Sequence, residues 1–290
     1  MAKAKIICLF TILLTSKIFG QAKFLDSLKN WISEHPAIDS QYIQTLHRIS
    51  YRLSEKDDKQ SFSYYERVSH LSDSLNFTFG KSLAQINLGI LLYNSANFEA
   101  SNNAFFKAID YAEACNSKRL KAVSLNNIGD NFKSLKNYNK CRQYANEAII
   151  LNKQLNAWRG IAINYELLQQ CDLEENIYRD AKADLIAGLP YAILSGENYI
   201  LSQYYLGFAK LHAINKETDS ANLYFGKALH EARIENDPRN EFFAFLGKAK
   251  YLKNLPTSYK MNYLAAKLMR YQNSLSICQE ITYSICGLIV

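Results

Sequence analysis

Turn-forming residues are few in this sequence: eleven glycines and four prolines among 290 residues. Strands joined by tight turns need more of both, so the shortage argues for helices with short links. Metal-ligand patterns are missing as well. The five histidines (His35, His47, His70, His212 and His230) are scattered, and none forms an HExxH pair. There is no glycine-rich phosphate loop and no G-x-S-x-G elbow. Adjacent Glu174 and Glu175 fall at a turn, where solvation rather than acid–base work is expected. No catalytic residue, metal ligand or cofactor motif can be named, and a non-enzyme is expected.

Charge of one sign is not in large excess either, with a net +7. Part of it belongs to the first twenty residues. Lys3 and Lys5 precede an apolar run from Ile6 to Leu14 broken only by Thr11. Thr15, Ser16 and Lys17 follow, and small Gly20 stands before Gln21. This is the layout of a secretory signal peptide, so residues 1–20 are expected to direct export to a periplasmic or other extracytoplasmic space. The run is shorter than the roughly 20 apolar residues of a spanning helix. Without Lys3, Lys5 and Lys17 the net +7 becomes +4, too small an excess to imply nucleic acid. No later segment is long and apolar enough to span a membrane.

Cysteines number six, and Cys8 leaves with the signal. Cys115, Cys141, Cys171, Cys278 and Cys286 then make an odd set without metal-ligand spacing. They read as small buried residues of helix packing. A single bridge from Cys141 to Cys171, between neighbouring helices, stays open in an oxidising compartment.

What is present in abundance is periodicity. Aromatic residues make up 13%, too rich for a disordered chain. Asn76, Asn116, Asn156, Gly196 and Asn236 recur at a forty-residue step. Asn and Gly tolerate the left-handed conformation that ends helices, so each marks a helix stop. Leu88, Ile128, Leu168 and Phe208 keep the same step, followed by Gly89, Gly129, Gln169 and Ala209. So do Ser101, Cys141, Ala181 and Ala221; Phe105, Ala145, Leu185 and Phe225; and Ala108, Ala148, Gly188 and Ala228. Two antiparallel helices approach closely only where side chains are small, and large residues one turn away fill the space between hairpins. No such hairpin can bury both faces alone, so the units must stack.

The run Asn87-Leu88-Gly89 followed by Phe98, Ser101, Phe105 and Ala108 resembles the tetratricopeptide signature, as does Asn127-Ile128-Gly129 followed by Tyr138, Cys141 and Ala148. Standard repeats of that family have about 34 residues. The longer step is similar to the long-repeat branch seen in kinesin light chains and bacterial regulators. The resemblance implies an all-α, right-handed superhelical solenoid of antiparallel helix pairs. Its repeats are drawn at 42–81, 82–121, 122–161, 162–201, 202–241 and 242–281, after a capping region over 21–41 whose helix at 23–34 is closed by Pro36. Gln169 and Thr218 depart from the signature. Pro190 falls inside a second helix, where a bend is expected.

In that family the first helix of each repeat lines a concave groove that holds extended peptides or helices. The resemblance implies a two-rung ladder of Asn87 and Asn127 whose amides bond a ligand's backbone, although asparagines bonding neighbouring helices explain them equally well. Asn126, Asp130, Glu166, Gln170 and Lys210 are the other groove candidates. Ile163 and Leu167 stand where chaperone cofactors carry a carboxylate clamp, so chaperone-tail binding is not expected.

A protein or peptide partner is therefore expected, and neither nucleic acid nor membrane. The signal and the long repeats together resemble the extracytoplasmic sensor region of Bacteroidetes-type membrane regulators, which implies a part in signal transduction. After residue 281, positions 282–290 read as an unfinished seventh repeat or tail. Ile281, Ile285, Leu288, Ile289 and Val290 have no evident cover, so self-association there is a second reading, and sensing of a small ligand or glycan a third.

Overall fold

The structure, a computed structural model, describes residues 24–35, 37–54, 57–235, 241, 243, 244, 247 and 248. The signal segment 1–20, Asn236, Cys278, Cys286, most of the repeat drawn at 242–281 and the tail 282–290 lie outside them. Every regular element among the described residues is helical.

Residues 24–34 form α1. Ten helices follow: α2 (Ser40–Leu53), α3 (Asp58–Ser74), α4 (Thr78–Asn94), α5 (Phe98–Ala114), α6 (Lys118–Ser134), α7 (Tyr138–Gln154), α8 (Trp158–Glu174), α9 (Tyr178–Ser195), α10 (Asn198–Ile214) and α11 (Thr218–Glu235). They pair as α2/α3, α4/α5, α6/α7, α8/α9 and α10/α11, and each pair packs on the next. The first helices of successive hairpins also touch: α2 with α4, α4 with α6, α6 with α8, and α8 with α10. Elements that crowd together line the inside of a curve, so this row of first helices is the concave face.

The step is finer than the sequence suggested. From α4 onward a helix starts every twenty residues, at Thr78, Phe98, Lys118, Tyr138, Trp158, Tyr178, Asn198 and Thr218. Asn76, Ala96, Asn116, Lys136, Asn156, Asn176, Gly196 and Lys216 all have positive φ, between 45° and 69°. The turn inside a hairpin and the turn between hairpins are thus the same device. After most of these residues the next backbone N–H bonds back five residues, as from Asn97 to Leu92 O at 2.9 Å and from Asn137 to Phe132 O at 2.8 Å. This is the Schellman closure of a helix end. Asn97, Ser117 and Asn137 then cap the next helix with their side chains. The repeat drawn from residue 82 begins structurally at Thr78, because the αL residue sits two positions before the new helix.

Small residues set the helix spacing. Ser101, Cys141, Ala181 and Ala221 are fully buried, as are Ala108, Ala148 and Ala228. Ser101 donates to Gly89 O at 2.7 Å, and Ser82 donates to Ala108 O at 2.8 Å, tying the two helices of one hairpin together. A β-carbon at Gly89 would stand 2.6 Å from the Phe105 ring, so glycine there admits the large side chain. α9 continues through Pro190 to Ser195. At the start of the stack Leu28 of α1 packs on Ile49 and Leu53 of α2. Toward its far end Ala244 joins Phe225 and Ala228 in one cluster.

Candidate binding channel

The concave face collects polar groups from four first helices. Asp130 and Lys133 of α6 form an ion pair at 2.7 Å, a spacing that one helix turn provides. Lys133 Nζ also crosses to α8, where it donates to Gln170 Oε1 at 2.7 Å. Gln170 in turn donates to Glu166 one turn back. Tyr93 of α4 meets Ser134 of α6 through their hydroxyls at 3.5 Å. Lys210 of α10 acts on Glu166 by its charge. One connected network therefore runs across α4, α6, α8 and α10.

Electrostatics in this network follow from enclosure. Burial opposes the charge on Lys133, but Asp130 and Glu166 outweigh it and hold the ammonium above its ordinary range. Burial pushes the Glu166 carboxyl up, with Lys133 pulling the other way and Asp130 reinforcing it. Tyr93 is raised by burial and then by Asp130. The result is a firmly charged Lys133 beside Glu166 and Tyr93, both of reduced acidity.

A second set lies one edge over. Arg159 in the first turn of α8 pairs with Glu197 at 2.9 Å and donates to the Tyr199 hydroxyl at 2.7 Å. Arg119, Arg159 and Tyr199 share one register position in α6, α8 and α10. The superhelix curls far enough that the hydroxyl of Tyr51, on α2, acts electrostatically on both Arg159 and Tyr199. Likewise Arg119 of α6 acts on His47 of α2. The concave face is therefore a channel in which α2 lies within electrostatic range of α6, α8 and α10, and Tyr51 is 47% exposed there.

Of the residues expected to form the site, Asp130, Glu166 and Gln170 come together around Lys133, and Lys210 reaches them by its field. The asparagines are placed differently. Asn87 is only 2% exposed and its amide points to His47 O at 3.5 Å, so it lies in the seam between α2 and α4. Asn127 donates to Val123 O of its own helix at 2.7 Å. Asn126 is half-buried, with its carbonyl oxygen enclosed and without a partner. Lys133, Arg159, Tyr199, Tyr51 and Arg119 were not among the sequence candidates. The forty-residue step already aligns Arg119, Arg159 and Tyr199, and that was the available signal.

Chemically the channel offers hydrogen-bond donors and acceptors from α6 and α8. Among the described residues no group of three His, Cys, Asp or Glu could hold a metal ion. Among them, too, no helix is long and apolar enough to cross a membrane.

No family model matches the chain, and neither does any curated protein. Solved structures do match. A Rap protein complexed with competence and sporulation factor superposes with a TM-score of 0.66 at 13% identity, covering 96% of this chain and 84% of that one. The apo form of RapI gives 0.61 at 17% identity, covering 96% and 97%. Aspartyl phosphate phosphatase F from Bacillus subtilis gives 0.64 at 14% identity, covering 91% and 79%. Identities this low speak to the fold alone. The chain has an all-α, right-handed superhelical solenoid of tetratricopeptide-like helix pairs.

Proposed function

We propose that this chain is a non-catalytic scaffold that binds a segment of a protein or peptide within its inner channel. The observation carrying this reading is the network centred on Lys133, which aligns acceptors from α6 and α8 along a channel that includes Tyr51. An extended backbone presents N–H and C=O groups in alternation, and amides, carboxylates and an ammonium in a row can answer both. The similar Rap protein is described in complex with a factor it binds, which supports a binding role for this shape. Mixed signs among Asp130, Lys133, Glu166 and Lys210 favour a partner without strong net charge. The basic start and the apolar run over 6–14 support export, and with it a role in extracytoplasmic sensing.

The test is a selection of peptides from a displayed random library on the full-length protein, followed by binding measurements on variants. Lys133→Ala should weaken the selected peptides about tenfold, since an enclosed charge-assisted contact is worth roughly 1.5–3 kcal/mol, and Arg159→Ala, at a half-exposed residue, should weaken them by a smaller factor. Lys182→Ala, on the exposed side of α9, should change nothing. Equal affinity for all three variants would defeat the channel reading. N-terminal sequencing of the secreted protein tests export: a mature chain beginning at Gln21 is expected, and retention of Met1 would contradict it.

A further inference from the structure

Among the described residues, Cys141 and Cys171 are the cysteines that meet at a hairpin junction. Cys141 lies in the first turn of α7 and Cys171 in the last turn of α8, so they belong to the third and fourth hairpins. The two helices run antiparallel, which brings residues thirty apart in sequence face to face. Both side chains are fully buried, and Sγ stands 2.6 Å from Sγ. The two are free thiols at a separation shorter than unbonded sulfurs rest, though longer than the bond length of about 2.05 Å.

The position recurs along the solenoid, which makes the pair informative. One hairpin earlier the register holds Ser101 and Asn131, and Asn131 donates to the Ser101 hydroxyl at 2.9 Å. One hairpin later it holds the apolar pair Ala181 and Leu211. Each junction is joined by whatever chemistry these two positions carry. At the third junction that chemistry is two thiols, with Arg142 and Asp172 paired beside them at 2.6 Å. Cys115, half-buried at the end of α5, bonds back to Ala112 O.

We propose that Cys141 and Cys171 form an intramolecular disulfide that staples the third hairpin to the fourth. The oxidant is a disulfide donor, either a small-molecule disulfide or an oxidised dithiol protein. One cysteine, as thiolate, attacks a donor sulfur and breaks the donor S–S bond, releasing the first donor thiol. The second cysteine then attacks the mixed disulfide, closing Sγ–Sγ and releasing the second donor thiol. Two electrons pass from the cysteine pair to the donor, and the two cysteine protons end on the donor thiols. The mutual hydrogen bond and then burial keep the Cys141 thiol above its ordinary range, so attack is fast only while the junction is open, during folding or local opening. The staple needs no ligand and stands independently of the binding reading. It does fix the distance between α6, carrying Asp130 and Lys133, and α8, carrying Glu166 and Gln170.

The experiment uses the full chain equilibrated in oxidised or reduced glutathione, then alkylated under denaturing conditions and digested without reductant. The expected product is a peptide linking Cys141 to Cys171, two hydrogens lighter than the two thiols, in the oxidised sample only. Thermal melting should show the oxidised protein roughly 5–10 °C more stable, the gain vanishing with dithiothreitol. Cys141→Ser and Cys141→Ala borrow the residues found at 101 and 181, so they should fold and show no dependence on reductant. Free, alkylated Cys141 and Cys171 in the oxidised sample, or a link from either to another cysteine, would overturn the assignment. So would a reductant-sensitive melting point that persists in both variants.

Discussion

Lys133 on α6 donates to Gln170 on α8 at 2.7 Å, joining two hairpins through a side chain that also pairs with Asp130 on its own helix. The contact binds structure and recognition together. It holds neighbouring first helices in register on the inner face, and it keeps the Lys133 ammonium charged within the channel. Removing that charge leaves Asp130 and Glu166 to repel each other, with Lys210 still acting on Glu166.

Lys133→Met should therefore destabilise the protein by about 1–2 kcal/mol at neutral pH, the range for breaking a partly enclosed ion pair. Urea unfolding followed by circular dichroism measures this. Adding Glu166→Gln to Lys133→Met should recover part of the loss, and a strictly additive double variant would contradict the network.

The shared turn geometry predicts gains. Ala96, Lys136 and Lys216 are exposed non-glycine residues held at φ of 57°, 57° and 63°. A left-handed conformation costs an L-residue roughly 1–2 kcal/mol, part of which glycine's extra chain entropy returns to the unfolded state. Lys136→Gly should raise stability by about 0.5–1 kcal/mol, and Gly196→Ala should lower it by a similar amount. Melting temperatures of the two variants, moving in opposite directions, check this.

Helix starts offer an independent test. Asn97 and Asn137 accept from the backbones of Ala100 and Lys140, whereas Ala157, at the same place before α8, caps nothing with its side chain. Ala157→Asp should stabilise by about 1 kcal/mol and Asn137→Ala should cost about as much. Differential scanning calorimetry resolves both.

Two groups give the stability a pH dependence of opposite signs. Burial, then the charge of Asp172, raises Asp184 to about 7. The native state keeps a proton there that the unfolded chain loses near its ordinary 3.8, so this term weakens stability as pH climbs through that window. Burial lowers His47 to about 4, so between 4 and 6.5 the unfolded chain binds the extra proton and stability falls on acidification. The two windows overlap, so between pH 4 and 6.5 Asp184→Asn should make the melting temperature rise more steeply with pH and His47→Leu less steeply. Curves parallel to the parent would contradict both assignments.

Much of this architecture is legible in the sequence, because the constraints are local and repeated. Ser101, Cys141, Ala181 and Ala221 were aligned by spacing alone, and all four are fully buried. Helix stops were visible only at every second turn. Asn and Gly announce an αL residue, while Ala96, Lys136 and Lys216 adopt it under the demands of the fold and carry no compositional sign. The site was harder to read. Asp130, Glu166 and Gln170 were recognised as groove residues, but Lys133 acquires its role from a partner thirty-seven residues away. Asn87 looks like a groove amide in sequence, yet the packing of α2 on α4 turns it toward a neighbouring carbonyl. Which face of a first helix is seam and which is channel depends on the curl of the whole stack.

A bound partner should lie inside the superhelix. Site-specific photo-crosslinking tests this most directly, with benzoylphenylalanine replacing Tyr51 in the channel or Ile186, 57% exposed, on the outer side of α9. Irradiation with a bound, display-selected peptide should give a crosslink from position 51 and none from position 186. A crosslink from position 186 alone would contradict the account.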